Sequence, residues 1–219
     1  MSMKKKVLIS SAAIIVILAV IVFAIAKKMY TPTQGAKIAA YSRPQKALLV
    51  IDVQEDYTGL KGKQPVLYPN VEPQIAVING LISKASKAGV RVVYIRQIFD
   101  DNFISQLLGG RTIEGKPGAE LDGRVNLVNR NDFTKKFSDA FSNPQLDAFL
   151  TGGQVNELYL VGLDAAYCVY NTARGALNRG YKVTVVKDAI MTRKELSEVL
   201  KRYEKEGITS ISSKNIAGM

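Results

Sequence analysis

Histidine is absent from all 219 residues, and cysteine occurs once, as Cys168. The first absence removes Ser-His-Asp and Cys-His catalysis, His-Glu-x-x-His zinc sites and imidazole as a general base. The second leaves no intrachain disulfide framework and no four-cysteine metal site. Acidic residues are missing from the first 51 positions, and the net charge is +11. That figure overstates the basicity of the rest, because Lys4, Lys5, Lys6, Lys27 and Lys28 flank one apolar segment and leave about +6 scattered over the remainder. A nucleic-acid groove needs Lys and Arg clustered on one face, so nucleic acid is set aside as a partner.

Long uncharged runs are scarce too, with one exception. Residues 7–26 carry no charge, and only Ser10 and Ser11 are polar. Such a stretch spans a hydrocarbon core as one helix, and the lysines at both ends suit the headgroups. Ala24-Ile-Ala26 has the small-x-small form of a signal-peptide cleavage site, but the run exceeds a usual signal-peptide core and Lys27 follows at once. The expected organisation is a membrane anchor at 1–28 (transmembrane 7–26), a linker at 29–45 and a folded domain at 46–219. Pro32, Gly35 and Pro44, without periodicity, give the linker its reading. Three lysines and the terminal amine on the six-residue tail favour a cytoplasmic tail, hence a single-pass plasma-membrane protein with an extracytoplasmic domain. Lys27, Lys28, Lys37, Arg43 and Lys46 pull the other way.

Beyond the linker, short apolar runs alternate with segments of helical spacing. Strands are expected at 47–51, 90–95, 125–128, 158–161, 181–186 and 208–211, and helices at 71–88, 144–150, 168–180 and 193–205. Residues 99–123 are Gly-rich without sustained periodicity and read as a long excursion or lid. The alternation implies an α/β fold, a Rossmann-like three-layer sandwich with a mainly parallel sheet of about six strands, preceded by one N-terminal transmembrane helix.

Cys168 falls where the strand at 158–161 gives way to a helix. A thiol at a helix start faces unpaired N–H groups and the positive dipole end, which favour the thiolate and fast alkylation even at pH 6. Asp52 follows the first strand, and Lys135 and Lys136 follow the third. Open parallel sheets bind ligands at the carboxyl ends of their strands, so acid, amine and thiol are expected at one edge. Gln54, Tyr57 and Tyr167 are candidates for substrate contact, and residues 114–120 for contact with substrate or a neighbouring subunit.

Asp52-Val-Gln54, Lys135-Lys-Phe-Ser-Asp-Ala-Phe141 and Gly162-Leu-Asp-Ala-Ala-Tyr-Cys168 together resemble the isochorismatase-like cysteine hydrolase family from about residue 47 onward. The resemblance implies an Asp-Lys-Cys triad of Asp52, Lys135 and Cys168, with Lys136 as the fallback lysine. It also implies a cis peptide at Leu163–Asp164, an oxyanion hole from the backbone N–H groups of Asp164 and Cys168, and dimers or larger assemblies. Nicotinamidases of this family hold a metal with an Asp and histidines, for which this chain has no histidine to offer, so no metal or other cofactor is expected. True isochorismatases lack the cysteine, so Cys168 argues against vinyl-ether hydrolysis. Asp164-Ala-Ala-Tyr167 also replaces the more usual Thr-Asp ahead of the cysteine.

The function expected is a membrane-anchored hydrolase cleaving a carbon–nitrogen bond of a small amide-type substrate through a thioester. The alternative is a binding or scaffold protein that keeps the fold without turnover.

Overall fold

The computed structural model describes residues 3–62, 68–107 and 109–216, and side chains before residue 16 and at residue 18 lie outside that description. The first helix, α1, runs Met3–Tyr30. Half of the span expected at 7–26, residues 7–15 and 18, therefore falls on side chains outside the description. Among the described residues no helix is long and apolar enough to cross a membrane.

Six strands follow: β1 (Gln45–Ile51), β2 (Arg91–Gln97), β3 (Asp132–Lys135), β4 (Val155–Leu163), β5 (Lys182–Met191) and β6 (Thr209–Ile211). Every pairing is parallel, in the order β3-β2-β1-β4-β5-β6. The helices are α2 (Val71–Lys87), the short α3 (Phe103–Leu107), α4 (Pro144–Gly152), α5 (Cys168–Asn178) and α6 (Leu196–Lys205). Strand residues alternate faces, which divides the core into two layers. Ala47, Leu49 and Ile51 join the cluster that takes in Leu146, Leu150, Val169, Ala173, Val199 and Tyr203 from α4, α5 and α6. Leu48 and Val50 join the one that takes in Ile75, Ile78 and Ile82 from α2. This is the three-layer α/β sandwich expected.

The third strand differs from expectation. Residues 125–128 form no strand; instead Tyr94 Oη donates to the Asn126 carbonyl and accepts from the Val128 N–H. The strand lies at Asp132–Lys135, whose polar sequence fits its place at the sheet edge. An edge strand has one face of its ladder open to water and needs no continuous apolar run, so hydrophobicity pointed to the wrong segment. Lys135 thus ends β3 rather than following it.

Strand order reverses between β1 and β4, so the crevice for a ligand opens at their carboxyl ends. Gly162 sits there with φ 107°, and a Cβ would lie 2.1 Å from the Ile51 carbonyl oxygen. Only glycine permits that backbone and that approach.

Residues 31–44 have no regular secondary structure, as their composition suggests, but they are not a free tether. Thr33 donates through its N–H and its hydroxyl to Asp139 Oδ2, both at 2.7 Å. Arg179 Nη1 donates to Thr33 Oγ1 (2.9 Å) and Nη2 to the Gln34 carbonyl (3.1 Å). The segment from Tyr30 to Ile38 is a strap bonded to the domain by buried polar groups.

Candidate active site

Asp52 is the first residue past β1, in a left-handed conformation (φ 56°) that Asp tolerates better than most residues, and its N–H donates to the Ile95 carbonyl (2.8 Å). Lys135 reaches in from the end of β3, and Cys168 begins α5 beyond β4. Lys135 Nζ lies 2.8 Å from Asp52 Oδ2, 2.7 Å from Gln97 Oε1 and 3.4 Å from Cys168 Sγ. The Asp52 and Lys135 side chains are almost wholly buried. Lys136 instead pairs with the exposed Asp100 at 2.6 Å. Asp, Lys135 and Cys are therefore the three groups brought together.

Charge inside this cluster is tightly coupled. Burial works against the Lys135 ammonium, but the charges of Asp52 and Cys168 outweigh it and raise its pKa. Burial raises Asp52, with Lys135 opposing the rise. Burial pushes the Cys168 thiol up to about 12; Lys135 lowers it, and Asp52 raises it further. Lys135 and Asp52 thus stand at ion-pair distance beside a thiol held well above its ordinary pKa. Against the thiolate read from the helix start, burial and the neighbouring carboxylate raise the thiol pKa more than the ammonium lowers it. Asp52 Oδ1 is buried and has no hydrogen-bond partner among the described residues. A buried carboxylate whose pKa is raised and whose second oxygen is unpaired is ready to take a proton.

A cavity of about 490 Å³ opens over the sulfur. Its lining includes Asp52, Asp164 and Cys168, the aromatic side chains of Tyr57, Tyr68, Phe99 and Tyr167, and Arg193 and Lys194. The Leu163–Asp164 peptide is cis. The Asp164 carbonyl accepts from the N–H groups of Tyr167 and Val169, both at 3.0 Å, while the Cys168 N–H between them has no backbone acceptor among the described residues.

The weaker substrate candidates divide. Tyr57 and Tyr167 line the cavity, whereas Gln54 does not. Its amide donates to the Gln97 and Ala119 carbonyls and accepts from the Gln97 N–H, so it braces β2 and the loop at Ala119. Residues 114–120 stay outside the cavity lining; Glu120 there pairs with Arg96 at 3.3 Å.

Gln97 escaped the sequence reading. Its Oε1 accepts from Lys135 Nζ, and its Nε2 donates to the Lys135 carbonyl (3.0 Å). The available signal was its place at the carboxyl end of β2, between the strands carrying Asp52 and Lys135. Met29 and Tyr30 also line the cavity, and no motif announces them. Among the described residues, no three Asp, Glu or Cys side chains converge, so the donor set a zinc ion needs is not assembled.

An Isochorismatase domain model matches residues 46–213, most of the chain. The chain belongs to the isochorismatase family. It is 33% identical over 158 residues to a streptothricin hydrolase of Streptomyces noursei, covering 72% of this chain and 58% of that protein. It is 31% identical over 147 residues to the uncharacterized isochorismatase family protein YddQ of Bacillus subtilis, covering 67% of this chain and 77% of that one. Among solved structures, N-carbamoylsarcosine amidase from Thermoplasma acidophilum superposes with a TM-score of 0.68 at 25% identity, covering 78% of this chain and 98% of that one. The family match begins at residue 46, so α1 and the strap lie outside it.

Proposed function

We propose that the chain is a membrane-tethered cysteine hydrolase that cleaves the carbon–nitrogen bond of a small amide. The observation that carries this reading is the contact of one buried ammonium, Lys135 Nζ, with both the Asp52 carboxylate and the Cys168 sulfur beneath an open cavity. Similarity to a streptothricin hydrolase and to an amidase adds support.

Substrate entry displaces water from the cavity. The thiol proton passes to Asp52 and the sulfur attacks the amide carbon, so one negative charge moves from oxygen to sulfur while Lys135 stays cationic between them. That transfer creates no net charge in a buried site, which keeps its cost low. The backbone N–H groups of Asp164 and Cys168 receive the oxyanion, a donor pair of which each member is typically worth roughly 100-fold in rate or more. Asp52 then gives its proton to the departing nitrogen, leaving a thioester. A water molecule, deprotonated by Asp52, attacks that thioester and releases the acid, and the proton returns to sulfur.

The test mixes the purified chain with a panel of small amides, measures released ammonia or amine, and quenches samples in acid for mass analysis. An acyl mass on the peptide carrying Cys168, together with amine release, is expected. Neither product across the panel would leave a binding protein that keeps the fold without turnover.

The uncharged run at 7–26 supports the tether. The full-length chain should stay with membranes through alkaline carbonate extraction, and its recovery in the soluble fraction would remove the anchor.

A further inference from the structure

Tyr30 and Met29 line the cavity over Cys168, yet both precede the first residue of the family domain. Their position is fixed by bonds to the two segments that carry the reactive groups. The Met29 carbonyl accepts from both the N–H (3.0 Å) and the hydroxyl (2.6 Å) of Ser138, three residues past Lys135. Ser138 Oγ in turn accepts from Asn171 Nδ2 at 2.7 Å, one turn along α5 from Cys168. On the far side of Tyr30, Thr33 is held by the buried Asp139 and by Arg179. The Tyr30 ring lies 5.7 Å from the Tyr167 ring with the planes tilted by 56°, within the range of favourable aromatic pairing. Burial raises the pKa of the Tyr30 hydroxyl, and Cys168 is the next cause, which sets this side chain within electrostatic reach of the sulfur.

We propose that Tyr30 is a specificity-determining residue: strapped down by Thr33, its ring closes one wall of the cavity with Tyr167 and restricts the site to compact substrates. The wall comes from residues ahead of the family domain, so the chain's own N-terminal extension sets what its active site admits. As a statement about substrate choice, the inference rests on the hydrolase reading. As a statement about access to the sulfur, it stands apart from turnover.

Because Cys168 is the only cysteine, alkylation of the full-length chain reads access directly. Rates with iodoacetamide, which is compact, and N-phenylmaleimide, which is bulky, are measured at pH 9, and their ratio cancels differences in thiol ionisation. Tyr30→Ala should raise the bulky-to-compact ratio by about tenfold or more, the scale on which pocket walls discriminate. Tyr30→Phe should keep the wild-type ratio, because the ring rather than the hydroxyl forms the wall. Should Tyr30→Ala fail to fold, Thr33→Val, which lies away from the cavity and loosens the strap, should raise the ratio in the same direction. A ratio within about threefold of wild type in the folded variant, or a rise in Tyr30→Phe equal to that in Tyr30→Ala, would overturn the proposal. A chain that hydrolyses no amide but shows the expected ratios loses the hydrolase reading and keeps the wall.

Discussion

Alanine at position 168 should abolish amide hydrolysis while leaving a folded protein. The sulfur is the lining group that contacts the Lys135 ammonium, and the chain has no histidine to activate another nucleophile in its place. Losing the nucleophile of a covalent mechanism is expected to lower kcat/KM by on the order of 10⁴-fold or more. The resting thiol is neutral, so its removal strips no charge from the Asp52–Lys135 pair, and that pair persists. Initial rates of ammonia release would be compared with melting curves, in which a shift of no more than a few degrees is expected. Activity retained in the folded Cys168→Ala protein would end the thioester mechanism.

Asp52→Asn and Lys135→Met should move thiol ionisation in opposite directions while both suppress hydrolysis. The Asp52 carboxylate raises the thiol pKa, so its neutral isostere should bring the midpoint for Cys168 alkylation down from about 12. The same change removes the proton acceptor, and hydrolysis should fall by roughly 10² to 10⁴-fold. A protein whose sulfur is more reactive toward iodoacetamide yet poorer at turnover separates the base from the nucleophile. Lys135→Met removes the cation that lowers the thiol pKa, so the alkylation midpoint should climb. It also strands a buried carboxylate, at a cost of about 3–5 kcal/mol where that carboxylate stays charged. Asp52, already raised by burial, can escape by binding a proton. Stability of Lys135→Met in urea should therefore improve as pH falls relative to wild type. Parallel shifts of the two alkylation midpoints would contradict the arrangement.

Much of this architecture was legible in the chain, for identifiable reasons. Strands β1 and β4 are buried on both faces and appear as unbroken apolar runs, and α2 shows its buried stripe at Ile75, Ile78 and Ile82. The edge strand β3 was misplaced because Asp132-Phe-Thr-Lys135 is half exposed and carries no such run. Asp52 and Cys168 could be read because each follows a strand that was itself legible, and topology gathers strand ends; Lys135 ends the strand that was misplaced, and only the family resemblance singled it out from Lys136. The ionisation of Cys168 could not be read, because it depends on how completely tertiary packing excludes water from the sulfur. Gln54 was a candidate for substrate contact, yet its amide spans 43 and 65 residues of chain to reach β2 and Ala119. Gln97 and Tyr30 were invisible for the converse reason: their roles come from partners remote in sequence, Lys135 and Tyr167.

The orphaned Asp52 oxygen and the protonated sulfur beside it have a further bearing on the protein's durability. Peroxide and stray electrophiles attack thiolates far faster than thiols. A thiol that keeps its hydrogen until a guest arrives is a slow target for such reagents between encounters.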